Sequence, residues 1–151
     1  MKHLFILFLL FLFCQQISSQ SLEGDWKGKF VTTQIGPIPA PSSISEKPTA
    51  ISLRFLLNKD SSYSVYSFTK GLNSKRQDTI VICKVTGVFS KDSIYLVEVE
   101  LVEPRGIPSC FQKMALKIWK RKKITELDGT WKSEPGNCVS AGTIHFWKKN
   151  E

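Results

Sequence analysis

From residue 24 onward the chain alternates apolar and polar side chains with a period of two, in short runs broken by turn residues, and no stretch keeps a helical period. Because successive side chains of a strand point to opposite faces, such runs read as strands with one buried face. They span 25–35, 49–58, 62–70, 78–90, 92–103, 110–121, 124–133 and 141–149. Eight strands of this length in one domain predict an all-β, antiparallel, up-and-down barrel, with a β-sandwich as the alternative.

The alternation also assigns faces. In TAISLRFLLN, the set Ile51, Leu53, Phe55 and Leu57 is expected inside. The same reading turns Val81, Cys83, Val85 and Phe89 inward in the fourth run, Tyr95, Val97, Val99 and Leu101 in the fifth, and Met114, Leu116 and Ile118 in the sixth. Lys84, Thr86, Glu98, Glu100, Lys113, Lys117 and Arg121 are left to solvent. NKDSS at 58–62 and SKDS at 90–93 are tight turns in which Asn, Asp and Ser bond to the local backbone. One connection is long. Residues 36–48 hold Pro37, Pro39, Pro41 and Pro48, each lacking a ladder donor, and read as a binding loop, a lid or a disordered segment rather than a central strand.

Ahead of the domain, Lys2 and His3 precede an unbroken apolar run from Leu4 to Phe13, shorter than the roughly 20 residues a membrane-spanning helix needs. This is the pattern of a signal peptide, with cleavage expected after Ser19 or Gln20. The expected organisation is a leader over 1–20 and one β domain over 21–151, secreted or periplasmic, with no membrane span. Acylation at Cys14 would call for small residues just upstream, where Leu12 and Phe13 stand. The net charge of +8 drops by one with the loss of Lys2. A basic surface suits acidic partners or simply keeps the domain soluble, and an exported chain is not expected to meet nucleic acid.

Three cysteines follow the leader: Cys83, Cys110 and Cys138. Cys110 in GIPSC and Cys138 in EPGNC lie beside turn residues, where strand ends approach one another. Cys83 lies on the apolar side of VICKV. The expected bridge is Cys110 to Cys138, contributing about 3.5 kcal/mol in the chain-entropy picture, with Cys83 a buried thiol. No metal is expected, since the cysteines and His145 show none of the close spacings of a zinc site.

The most specific phrase occurs twice, as LEGDWKG at 22–28 and LDGTWKS at 127–133. Gly24 with Trp26 resembles the Gly-x-Trp opening of lipocalin and calycin-type barrels, in which glycine permits a bulged strand entry and the ring plugs one end. The resemblance implies a basic residue over that ring, and Lys148 and Lys149 in the last strand are the candidates. It also implies a lid in the 36–48 loop. The second pair, Gly129 and Trp131, fits a seventh strand lying near the first as the barrel closes. Paired phrases at both ends are similar to those of small secreted proteins of Gram-negative bacteria, which adds an architecture without a function.

Candidate chemistry is sparse. His145, between Ile144 and Phe146, should face outward alone. Glu98, Glu100 and Glu103 resemble a paired-carboxylate pattern but lie on the expected solvent face. Neither a Gly-x-Ser-x-Gly phrase nor a phosphate-binding glycine loop occurs, and the chain is not expected to be an enzyme or to need a cofactor. In KIWKRKK, Lys117, Trp119 and Arg121 share a face, either as a partner surface or as charges that guard a strand edge. The lipocalin resemblance implies a binding protein for a small hydrophobic ligand lined by Phe30, Phe55, Val85, Val99 and Leu116. The alternative is a barrel with a filled core that binds a protein or cell-envelope glycan through the Trp119 face.

Overall fold

Every expected run forms a strand in the computed structural model, which describes residues 21–35, 45–72, 77–103, 110–133 and 140–150. The strands are β1 (Gly24–Ile35), β2 (Ser45–Leu57), β3 (Tyr63–Leu72), β4 (Asp78–Phe89), β5 (Ser93–Glu103), β6 (Gln112–Lys120), β7 (Ile124–Ser133) and β8 (Ser140–Lys149). Each pairs antiparallel with the next, and β8 returns to β1 to close the barrel. Closure leaves no unpaired strand edge. The lysines of KIWKRKK therefore guard none, because β6 pairs with both β5 and β7.

Residues 1–20, expected to form a leader, and the connections 36–44, 73–76, 104–109 and 134–139 lie outside the described residues. All four connections leave from the same end of the barrel. The three turns at the other end are local: Asn58 N–H donates to the Ser62 carbonyl at 2.8 Å, Ser90 N–H to Ser93 at 2.9 Å and Arg121 N–H to Ile124 at 2.9 Å. Asp60 accepts from both the backbone and the hydroxyl of Ser62, and these bonds hold its carboxyl below the ordinary range.

The 36–48 expectation needs one correction. The strand β2 already begins at Ser45, so Pro48 stands within it. The β1–β2 register slips between Phe30 and Thr32, and pairing with β3 starts only at Ile51, so this proline costs no regular ladder bond.

Trp26 plugs the turn end, as the resemblance implied. Gly24 has φ 107°, a backbone shape that side chains resist, and it turns the chain so that Trp26 enters the barrel fully buried. The indole N–H donates to the Leu22 carbonyl at 2.8 Å. Lys148 lies 5.4 Å from the ring centroid and donates to the carbonyls of Ser21 and Glu23 at 3.0 and 2.6 Å, pinning the entering chain over the plug. Around Trp26, Leu53, Phe55, Val65, Ile94, Leu96, Met114, Leu127 and Phe146 fill the section, and each of these buried side chains contributes about 1.5–3 kcal/mol.

The second phrase serves a different level. Trp131 is on β7, which reaches β1 only across β8. Its ring passes over Gly142 and donates to the Val31 carbonyl at 3.2 Å, and its edge meets Phe30 at 5.0 Å. Gly129 is required by a close approach, because an added Cβ would fall 1.8 Å from the Ala115 carbonyl oxygen.

Candidate functional site: a cup opposite the tryptophan plug

Inward side chains change character along the barrel axis. In the half nearer Trp26 they are apolar and buried, and Phe55, Val85 and Leu116 belong to this packed cluster. Nearer the opposite end, Phe30, Thr49, Thr69, Val81, Leu101 and Gln112, one from each of β1 to β6, remain half-buried. Solvent thus still reaches the upper interior, while the lower interior is closed by its own side chains. An eight-stranded barrel has room either to fill itself or to hold one small ligand, and here the two outcomes divide along the axis.

Of the five residues expected to line a ligand, only Phe30 stands in this cup, with Trp131 against it. Phe55, Val85 and Leu116 lie deeper, in the filled half. Val99 corrects the sequence reading outright: it is 45% exposed on the outer wall, together with exposed Tyr95, and the inward residues of β5 are Ile94, Leu96 and Glu98. The reason is local geometry. Phe89 pairs with Ile94, so the face begins on the even residues, and Val99 is then an extra residue between the pairs Val85 with Glu98 and Lys84 with Glu100. The bulge switches the face, and Leu101, opposite Cys83, is half-buried again. It also parts Glu98 from Glu100, which a regular strand would hold on one face, so the two do not form a carboxylate pair.

Glu98 is the site residue that the alternation missed. It is 4% exposed at the floor of the cup. The Ser67 hydroxyl on β3 donates to its Oε1, and the Gln112 backbone N–H on β6 donates to its Oε2 at 2.9 Å. Both partners are neutral. Burial pushes the carboxyl above its ordinary range, and the two hydrogen bonds offset this only in part. Cys83 lies beside Ser67 in register, and burial, reinforced by the neighbouring Glu98, raises its thiol to about 12. A thiol so placed stays protonated and unreactive. The side-chain Oε1 of the same Gln112 is a further buried acceptor, with no donor among the described residues.

Other expected residues lie outside the cup. Cys83 is free and buried, as its strand position predicted; no disulfide joins two described residues, and Cys138, the expected partner of Cys110, lies outside them. His145 is on the outer wall, its Nδ1 2.5 Å from Asp128 and its ring stacked on Trp147 at 5.5 Å. It borders a hollow of about 380 Å³ with Lys29, Val31 and Thr143. The barrel wall separates it from Cys83, so these two ligand types do not converge. Trp119 is 51% exposed beside exposed Lys117, while Arg121 reaches Glu126 at 2.8 Å. A wider cleft of about 870 Å³ runs outside the plug between Trp26, Trp147 and the basic residues Lys27, Lys120, Lys148 and Lys149.

A closed, eight-stranded, up-and-down barrel with a tryptophan plug is consistent with a lipocalin-like fold. Compared with known proteins, the chain matches no family model, no curated protein and no solved structure.

Proposed function

We propose that this chain is an exported, lipocalin-like binding protein that holds one small, mainly apolar ligand in the cup at the end of its barrel opposite Trp26. The carrying observation is the ring of half-buried inward residues from six strands above a floor that is fully buried. Phe30 and Trp131 supply an aromatic wall, and Val81 and Leu101 supply aliphatic surface, the mixture that small-molecule sites favour. The filled lower half limits the ligand to the upper part of the interior. Native mass spectrometry of the protein recovered from its producing cell checks this directly, with a co-purifying small molecule as the expected result. Replacing Phe30 with Asp should abolish that extra mass while the barrel stays closed, since Phe30 is only partly buried.

Export rests on the Leu4 to Phe13 run behind Lys2 and His3. The intact mass of the exported form should correspond to a start near residue 20 or 21 with no acyl group, and a lipid-bearing start at Cys14 would refute it. A second surface has its own support: Trp119 offers an exposed ring beside Lys117, the composition of a contact with a protein or an anionic glycan. Loss of such a partner in Trp119→Ala, with ligand uptake unchanged, would separate the two roles.

A further inference from the structure

The floor of the cup holds acceptors without matching donors. A carboxylate offers about four lone-pair sites, and Glu98 receives two donors, one from Ser67 and one from the Gln112 amide. The side-chain oxygen of the same Gln112 is buried and receives none among the described residues. Buried polar atoms are nearly always paired, and a buried carboxylate with only neutral partners carries a large desolvation cost that a counter-charge would relieve. Among the described residues, no side-chain cation is a partner of Glu98.

We propose that the cup selects small organic ammonium ions, an apolar body lying against Phe30 and Trp131 and the ammonium docking on Glu98 and the side-chain oxygen of Gln112. An ammonium has three N–H donors and one positive charge, which answers both deficits at once, whereas a hydroxyl answers one and a carboxylate neither. The inference rests on the cup reading given above. Its selectivity also runs against the long-range field, because a chain of net charge +8 repels cations in general. A preference for an amine must then come from a local group.

The experiment is calorimetric titration of the purified protein with hexylamine, hexanol and hexanoate, which share one apolar chain. The expected result is that hexylammonium binds at least about tenfold tighter than hexanol, as a charge-assisted bond in a buried site allows, and that hexanoate binds weakest. In Glu98→Gln the amine and the alcohol should bind within about twofold of each other, with the alcohol's affinity kept. If hexanol or hexanoate binds the unaltered protein as well as the amine does, the role of Glu98 is overturned and the cup stands. If none of the three binds, the cup itself is refuted. The ligand series on the unaltered protein decides the matter even if the variant fails to fold.

Discussion

The Ser67 hydroxyl of β3 reaches past the intervening strand β4 to the Glu98 carboxylate of β5, so that the only buried carboxylate among the described residues is held from two sides of the barrel. Its charge state should be visible in stability. Burial raises the folded-state value above the ordinary 4.5, so the native state binds the proton more tightly than the unfolded chain does. The contribution is fully present below pH 4.5 and is lost as pH rises through the raised value. The titratable group facing Glu98 is the Cys83 thiol on β4, which stays neutral across this range, and β3 and β6 present neutral Ser67 and Gln112. Urea midpoints should fall between pH 4.5 and 7.5 more steeply for the natural chain than for Glu98→Gln. Equal slopes would place the carboxyl in water.

The plug and its cation should separate in magnitude. Trp26→Ala removes a fully buried ring and should cost about 3–5 kcal/mol. Lys148→Met keeps the methylene packing and loses the ring contact and two carbonyl bonds, and should cost about 1–2 kcal/mol. Guanidinium unfolding curves with a common slope would give both. Equal costs would mean that the lysine, not the indole, organises the turn end.

The two Gly-x-Trp phrases should respond differently to alanine. Gly24 has φ 107° but open space around it, with Lys148 Cδ the nearest atom at 3.9 Å, so Gly24→Ala should cost about 1–2 kcal/mol of backbone strain. Gly129→Ala meets the Ala115 carbonyl at 1.8 Å and must push β6 and β7 apart. It should exceed the first by about 1 kcal/mol or more in thermal unfolding.

The cysteines predict a peptide map. Without reductant, the peptides holding Cys110 and Cys138 should migrate as one, and Cys83 should stay unlabelled by a maleimide until denaturant is added, because it is buried and its thiol is raised to about 12. Labelling of Cys83 in the native protein would show that the floor of the cup opens.

The strand pattern was legible because side-chain alternation is a direct consequence of the pleat, and all eight runs lie within a few residues of the observed strands. Strand β5 misled because SIYLVEVELVE is apolar on both faces, so counting hydrophobic residues favours Tyr95, Val97, Val99 and Leu101. The turn before it held the better signal. With Phe89 turned to the inward face against Phe55 and Ser90 to Ser93 forming a tight turn, Ile94 opposes Phe89 and must share its face, which carries Leu96 and Glu98 inward. The bulge at Val99 left no mark in composition, since any residue can be the extra one. Lys148 over Trp26 was legible through the resemblance, whereas the path of Trp131 across Gly142 depends on the close approach of β8 to β1, which spacing alone does not encode.

Barrel closure ties the start of the domain to its end: Trp131 bonds Val31 across 100 positions, and Lys148 bonds Glu23 across 125. Contacts of such long sequence separation form late, because the chain entropy of closing so large a loop is lost before they reward it. A chain emerging from the ribosome carries the first seven strands with no partner for the free side of the first. Until Ser140–Lys149 arrive, it has only an unfinished sheet, whose tryptophan plug lacks its anchoring lysine. For the export proposed above, that delay would be useful: the same strand order that seals the barrel would keep the chain pliable until its last strand is available.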